Sequence, residues 1–439
     1  MRRSLTRLEH YFEFARLGTN WRTEILAGST TFMTMAYIVF VNPSILHDAG
    51  MPVAAATMAT CFSAALGSIL MGAVARYPIA MAPGMGLNAY FAYAVVKGMG
   101  VSWQTALGAV FLSGLLFLLL TLLGLRQWIV AAIPHELYAA VSAGIGLFIA
   151  FIGLRNAGIV VTNPATALAL GDLTAPGPVL ALCGLILVAG LLARGVRAAM
   201  PIGILLTAAA AWATGAAEWK PSGFDAGALG ATVWQLDIGS ALSRGALEIV
   251  LVFFFVDLFD NAGTLVAVSQ KAGLLDAKHR IPRVKRVLLC DATATMVGAL
   301  AGTSTVVSYI ESAAGVAAGG RSGVTAIVTG LLFAASIFVA PFIGAMPAAA
   351  TAPALIVVGS LMMPAVKEID WDDVSIAVPA FLTIIAIPLT FSIANGLALG
   401  FTAYAILATV RRGRRSVGWP VYLMTAMFIF RFIYLGRAH

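Results

Sequence analysis

Charged side chains are scarce in this chain of 439 residues, which has 27 Lys or Arg and 19 Asp or Glu but is 60% hydrophobic. Charged residues make up 10% of the sequence, against roughly 25% in an average soluble domain. A soluble fold of this length could not hide so much apolar surface, because folding leaves a sizeable part of any surface in water. The composition excludes a multidomain soluble enzyme and predicts a membrane protein with many apolar spans.

Cysteine and histidine are also rare. The three cysteines, Cys61, Cys183 and Cys290, each lie inside an apolar segment and far apart in sequence. That spacing fits neither a disulfide framework nor a metal-ligand motif. The five histidines lie in loops, in tails or at the edges of apolar runs. We therefore predict no metal site and no cofactor.

The net charge of +8 does not indicate a nucleic-acid partner. More than half of the basic residues lie in three short stretches, at positions 2–22, 271–286 and 411–415. Blocks of Lys and Arg between apolar runs follow the positive-inside rule of membrane proteins. The predicted partner is the lipid bilayer.

Apolar runs separated by charged or turn-forming residues predict fourteen membrane spans. They cover 23–46, 53–75, 79–96, 103–124, 136–155, 178–194, 199–216, 246–270, 285–301, 305–319, 322–344, 348–364, 374–391 and 393–410. The basic stretches then place both termini in the cytoplasm of a plasma (inner) membrane, and residues 217–244 form an external loop. Residues 417–437, apolar with an aromatic stripe, favour an amphipathic helix in the inner interface over a fifteenth span.

The third and tenth spans have an irregular composition. The third contains Pro83 and Gly84 shortly before Asn88, and the tenth has a hydroxyl-rich run shortly before Glu311. Each predicts a short extended piece followed by a half-helix. A membrane tolerates such backbone only inside protein or beside a cavity.

The two irregular spans correspond across the chain. A shift of 223 residues places Asn88 on Glu311, and a shift of 224 places Glu24 on Glu248. We therefore predict an all-α polytopic protein with two repeats of seven spans. Because seven is odd, the repeats are inverted relative to each other. Interrupted segments at matching places in two such halves indicate a transporter binding site.

Two carboxylates lie in the eighth span. Asp257 and Asp260 are three residues apart and therefore share one helical face. A charged side chain at the bilayer centre costs about 2.5–3.5 kcal/mol on insertion scales. The pair is expected to bind a ligand or a proton, and the alternative is that both bond to backbone amides of the broken helices.

The broken spans supply the other candidates. Glu311 begins a half-helix, so it is either a ligand contact or a capping carboxylate. The amide of Asn88 suits the edge of a heterocycle, or else ties two broken helices together. Gly86 lets the backbone approach a ligand closely, and Ser308 belongs to the hydroxyl-bearing run before Glu311.

Three stretches carry a family resemblance: residues 82–91 (APGMGLNAYF), 257–264 (DLFDNAGT) and 303–315 (TSTVVSYIESAAG). They resemble the AzgA-like purine permeases, a branch of the nucleobase–cation symporters related to the nucleobase/ascorbate transporters. The resemblance extends from about Trp21 to the Arg-rich C-terminal helix. It implies a core domain of residues 23–125 and 245–345 and a gate domain of residues 126–216 and 346–411.

The resemblance also implies proton-coupled import of adenine, guanine or hypoxanthine. The substrate-contacting positions of the family fall on Asn88, Asp257, Asp260 and Glu311. The chain has Asn261 where the family commonly has Thr, and valines at 306 and 307 where it often has hydroxyls. These changes touch the wall of the implied pocket and leave the choice of purine open.

Asp257 and Asp260 are expected to have different roles. Two ionised carboxylates so close in a low dielectric repel each other, which favours a proton on one of them. We assign Asp257 chiefly to the substrate, and Asp260 chiefly to the proton or to holding the half-helices. Glu311 and Asp257 are further candidates for proton coupling, and sodium coupling stays open.

Two alternative functions remain at this point. One is a transporter of the same fold that carries uracil, xanthine or another small solute. Another is a membrane-embedded enzyme, but a diphosphate-binding Asp pair would require more carboxylates and nearby Lys or Arg, so we predict a protein that is not an enzyme. The oligomeric state is a separate open question, because the sequence is compatible with a homo-oligomer.

Overall fold

The computed structural model describes residues 2–124, 134–219, 225, 227–243, 247–276, 281–343, 345–413 and 418–434. Within these ranges, eight helices are long and apolar enough to cross a membrane, and four shorter apolar helices accompany them. The prediction of a mainly helical polytopic membrane protein is confirmed. The domain boundaries predicted at residues 125, 126, 245, 417 and 437 lie outside the described ranges.

The first half of the chain begins with a short helix pair, α1 (Arg2–Tyr11) and α2 (Phe14–Leu17). The elements that follow are α3 (Trp21–Met35), α4 (Ile38–Asp48), α5 (Val53–Leu70) with a π-helical end (Met71–Ala75), β1 (Met81–Pro83), α6 (Met85–Ala89) with a π-helical continuation (Tyr90–Gly98), α7 (Trp103–Leu122), α8 (His135–Asn156), β2 (Val160–Asn163), β3 (Ala167–Leu170), α9 (Pro176–Ala193) and α10 (Ala199–Ala213).

The second half begins with a 3₁₀ turn (Ala228–Ala231) and the short α11 (Ile238–Ala241). Its further elements are α12 (Leu247–Lys271), α13 (Val284–Ala301), β4 (Val306–Ser308), α14 (Ser312–Ala317), α15 (Gly323–Ala335) with a 3₁₀ turn (Ser336–Val339), α16 (Ala340–Ile343), α17 (Ala348–Met362) with a 3₁₀ end (Met363–Glu368), α18 (Val374–Leu389), α19 (Ile393–Arg412) and α20 (Trp419–Tyr434).

Short polar side chains and one glycine set several helix ends. Asn20, Ser102, Ser322 and Ser392 accept hydrogen bonds from first-turn N–H groups at the starts of α3, α7, α15 and α19. These groups have no partner inside the helix, so the caps stabilise each start. Gly302, with φ +100°, ends α13 in a left-handed conformation and directs the chain into β4.

The prediction of an all-α protein is wrong in one respect, because the residues that the structure describes include four short strands. β2 and β3 form an antiparallel hairpin between α8 and α9. β1 and β4 belong to the two irregular spans and pair antiparallel, with Ala82 opposite Val307. An extended backbone in an apolar interior needs hydrogen-bond partners, and the two interrupted spans supply them to each other. The prediction of an extended piece followed by a helix is confirmed in both spans.

The helices pack in two groups. Helices α3, α5 and α7 contact α12, α13 or α15, and α4 packs on α5. In the second group α8, α9 and α10 contact α17, and α8 also contacts α18, which packs on α19. β1 lies against α5, and β4 lies against α12 and α13, so the strand pair belongs to the first group. The groups meet where α8 contacts α6 and α12 and where α17 contacts α4.

The segment predicted as an external loop lies against the ends of two helices. The backbone N–H of Asp237 donates to the carbonyl of Gln104 in α7 at 2.9 Å, and that of Trp234 donates to Leu300 in α13 at 2.9 Å. The hydroxyl of Thr232 donates to the carbonyl of Ala301 at 2.9 Å. These bonds fix the described part of the segment to the first helix group.

The C-terminal segment forms a helix, as expected. In α20, Val421, Met424 and Phe428 are buried, and their spacing places them on one face. α20 packs against α19, and the hydroxyl of Thr425 donates to the carbonyl of Phe401 at 3.3 Å. Its location in a membrane interface stays a prediction.

Candidate functional site

The strand pair β1–β4 is the centre of the candidate site. The N–H of Gly84 donates to the carbonyl of Thr305 at 2.9 Å, and the N–H of Tyr309 donates to that of Ala80 at 3.0 Å, so the pairing continues past both strand ends. Each strand is followed within four residues by the start of a short helix, α6 or α14. The two interrupted spans therefore cross at the strand pair, and a short helix starts just beyond each of its ends.

Hydroxyl groups from the flanking helices complete the strand pair. Ser68 in α5 accepts from the N–H of Met81 at 2.9 Å and donates to its carbonyl at 3.1 Å. Thr295 in α13 donates to the carbonyl of Val306 at 3.0 Å. All four residues are buried, so these bonds satisfy backbone groups that water does not reach.

Glu311 lies directly before α14 and is half-buried. It occupies the N-cap position but makes no side-chain capping hydrogen bond. Its Oε1 instead accepts from the phenol of Tyr37 at 2.7 Å. The capping alternative is therefore wrong, because the carboxylate faces the break between α3 and α4, where Tyr37 lies.

Asp260 lies in α12 and is half-buried. Its carboxylate is close enough to those of Glu311 and Asp291 to interact with both electrostatically. The phenols of Tyr37 and Tyr309 also fall within the electrostatic range of Asp260 and Glu311. The structure thus brings Asp260 and Glu311, which are far apart in sequence, into one acidic group beside two tyrosines.

Asp257 has different neighbours, although it shares the helix with Asp260. It is fully buried, and its Oδ1 accepts from the side-chain amide of Asn261 one turn later. The Oδ1 of Asn261 accepts from the N–H of Ser308 in β4 at 2.9 Å. Asn261 therefore connects an α12 carboxylate to the strand that leads to Glu311.

Sequence reasoning singled out Asn261 only as a departure from a family pattern and missed this connection. The available signal was its position four residues after Asp257, which places both side chains on one helical face. The partner strand could not be inferred, because the N–H of Ser308 is 47 residues away. Ser308 itself is buried, and its Oγ has no hydrogen-bond partner among the described residues.

Asn88 is fully buried in α6 and makes contacts inside the protein. Its Oδ1 accepts from the hydroxyl of Ser304, and its Nδ2 lies 3.5 Å from the carbonyl of Pro83. The same carbonyl accepts from the phenol of Tyr309 at 2.5 Å. These contacts correspond to the alternative in which Asn88 ties the two interrupted spans together.

Gly86 faces a helix of the other packing group. A Cβ atom at this position would lie 2.4 Å from Cγ2 of Ile145 in α8, closer than side chains can approach. The glycine therefore permits close packing between α6 and α8. This contact accounts for the glycine without a ligand.

Asp291, whose carboxylate interacts electrostatically with that of Asp260, lies in α13. The helix begins at Val284, so Asp291 lies two turns inside it and is fully buried. Among the described residues, no group of three or more His, Cys, Asp or Glu side chains could hold a metal ion.

A family model described as "Permease family" matches residues 22–399 of the chain. A permease of Methanocaldococcus jannaschii is 52% identical over 98% of this chain and 99% of that protein. The guanine/hypoxanthine permease PbuG of Bacillus subtilis is 45% identical over 98% of this chain and 100% of its own. The adenine permease AdeP of Escherichia coli is 41% identical over 98% and 96%, respectively.

Solved structures share the fold at low sequence identity. The transmembrane domain of the cyanobacterial bicarbonate transporter BicA gives a TM-score of 0.62 at 15% identity and covers 87% of this chain and 98% of that one. The structure of SLC26A9 gives a TM-score of 0.64 at 10% identity, over 93% of this chain and 69% of that one. At such identities the likeness concerns architecture alone.

Proposed function

The chain belongs to this permease family, the nucleobase/ascorbate transporters, and from that premise we propose that it imports purine nucleobases in symport with protons. Family membership makes it a transporter and not a membrane-embedded enzyme. Adenine, guanine and hypoxanthine are the proposed substrates, because the relatives carry these names. The main structural support for this proposal is the acidic group of Asp260 and Glu311, which lies where the two interrupted spans cross.

The proposed arrangement in the membrane has fourteen spans in two inverted repeats of seven. In both halves, the order of elements supports it: apolar helices precede a strand that is followed by a short helix, and further apolar helices come after it. The packing groups support a core domain of spans 1–4 and 8–11 and a gate domain of spans 5–7 and 12–14. The basic stretches support cytoplasmic termini in a plasma (inner) membrane.

Substrate binding is proposed to use the carboxylates and the interrupted backbone together. A purine base presents N–H donors that Glu311 or Asp257 can accept, and ring nitrogens that need donors. The start of α6 offers N–H groups without helical partners for those nitrogens. Asn88 and Gly86 act chiefly by holding this helix start in place, as their contacts with Ser304 and Ile145 support.

Proton coupling is proposed to use Asp260, with Glu311 as its electrostatic partner. Two carboxylates within range of each other in a low dielectric favour a shared proton, and a bound proton neutralises the site before the core moves. Each charge carried across the membrane is worth about 2.3 kcal/mol per 100 mV. In this proposal Asp257, which is hydrogen-bonded to Asn261, serves chiefly in substrate binding.

The test is uptake of labelled hypoxanthine by liposomes that contain the purified protein, with an imposed inward proton gradient. Unlabelled adenine, guanine, xanthine and uracil serve as competitors. We expect competition by adenine or guanine, recovery of chemically unchanged substrate, and loss of accumulation with a protonophore. Competition by uracil or xanthine alone would instead favour the alternative substrates. Uptake that persists with the protonophore but stops without sodium would refute proton coupling.

A further inference from the structure

A basic cavity that shares no lining residue with the acidic site lies at the ends of α5 and α12. Its volume is about 340 Å³. Three parts of the chain line it: the α1–α2 pair, the turn after α5, and the connection between α12 and α13. The lining residues are Glu13, Arg16, Arg76, Tyr77, Leu274, Pro282, Arg283 and Arg286.

One carboxylate lies among the guanidinium groups of this cavity. Glu13 Oε1 accepts from Arg283 at 3.1 Å and from Arg76 at 3.3 Å, and its Oε2 accepts from Arg16 at 2.5 Å. Burial alone would raise the pKa of Glu13, but the neighbouring guanidinium groups, that of Arg283 foremost, hold it below its usual value. The carboxylate of Glu13 is therefore already paired with three of the arginines that line the cavity.

The tyrosines beside this cluster fix its shape. The guanidinium of Arg76 lies 4.4 Å from the ring centre of Tyr11, and that of Arg283 lies 5.7 Å from the ring centre of Tyr77. The phenol of Tyr77 donates to the carbonyl of Pro282 at 2.6 Å. The basic groups are thus held in place before any ligand arrives, which lowers the entropy cost of binding one.

Positive charge exceeds negative charge in the cavity. Four arginines line it, against one glutamate. Each guanidinium carries five N–H donors in a planar fork that matches the oxygens of a phosphate. The bonds to Glu13 use only part of this capacity, and Arg16 and Arg286 are exposed. The arrangement favours an anion with several oxygens over a second carboxylate side chain.

We propose that this cavity binds the phosphate group of an anionic molecule. Its volume falls within the range of about 300–1,000 Å³ typical of small-molecule sites, which leaves room for a substituent on the phosphate. Leu274 and Pro282 supply apolar surface for that substituent. The phosphate can come from an anionic lipid headgroup or from a soluble molecule.

The test uses full-length purified protein in a neutral detergent and three probes: short-chain phosphatidylglycerol, short-chain phosphatidylcholine and inorganic phosphate. Binding is followed as the rise of the thermal unfolding midpoint with probe concentration. The variant Arg16→Gln/Arg286→Gln removes the two exposed arginines and leaves Arg76 and Arg283 on Glu13. Arg194→Gln/Lys285→Gln removes the same charge from exposed positions that do not line the cavity.

Phosphatidylglycerol alone should stabilise the wild type if the source is lipid, and inorganic phosphate should also do so if the source is soluble. In either case the cavity variant should need at least about tenfold more probe, and the control variant should match the wild type. The proposal is wrong if neither anionic probe stabilises the wild type. It is equally wrong if the cavity variant keeps wild-type affinity, or if both variants weaken binding alike.

Discussion

Asn261→Ala is expected to loosen the strand pair at the centre of the site. The side chain donates to Asp257 and accepts from the N–H of Ser308 at 2.9 Å, and all three residues are buried. A side-chain hydrogen bond between membrane segments is worth about 0.6–2 kcal/mol. A buried N–H left without an acceptor costs about 1–3 kcal/mol. Together these give a loss of about 1.6–5 kcal/mol in the free energy of unfolding.

Reversible unfolding in mixed detergent micelles measures this loss, and equilibrium binding of labelled hypoxanthine measures its effect on the site. Ser269→Ala is the matched control, because Ser269 is buried in the same helix and its hydroxyl has no hydrogen-bond partner among the described residues. The control should change stability by less than about 0.5 kcal/mol. If Asn261→Ala were as mild as Ser269→Ala, the proposed connection between α12 and β4 would be refuted.

Three further substitutions test other contacts. Gly86→Ala places a Cβ 2.4 Å from Ile145, so it should slow uptake, and adding Ile145→Ala should restore it; no recovery would contradict the packing role. Tyr37→Phe removes the donor to Glu311 and should weaken purine binding about fivefold to tenfold; unchanged affinity would contradict a role for that bond. Glu13→Gln should lower the unfolding midpoint by a constant amount near neutral pH. Because the folded pKa of Glu13 lies below 4.5, the difference should shrink only below about pH 4.5, and a difference that fades nearer pH 7 would argue against the ion cluster.

The positions of the helices could be predicted well from the sequence. The span predicted at 53–75 is helical over Val53–Ala75, and the one predicted at 285–301 is helical over Val284–Ala301. Charged and turn-forming residues mark such ends directly, because they are costly inside an apolar run. The pairing of β1 with β4 could not be predicted, because the two strands begin 225 residues apart, at Met81 and Val306.

The candidate site could be predicted only in part. Helical spacing identified Asp257 and Asp260, and Gly-rich composition identified the interrupted spans. Spacing along one helix cannot say which neighbour each carboxylate meets, so the separate partners Asn261 and Glu311 emerged only from the fold. The same limit hid the basic cavity, where Glu13 meets an arginine 270 residues away.

Uptake by proteoliposomes of the Asp260→Asn variant is the most direct test of the coupling proposed here. Concentrative uptake under an inward proton gradient requires net proton movement, whereas counterflow exchange of labelled for unlabelled purine does not. Asp260→Asn should therefore keep measurable exchange and lose accumulation, while Asp257→Asn, measured beside it, should lose both. Full accumulation driven by the proton gradient in Asp260→Asn would contradict the account.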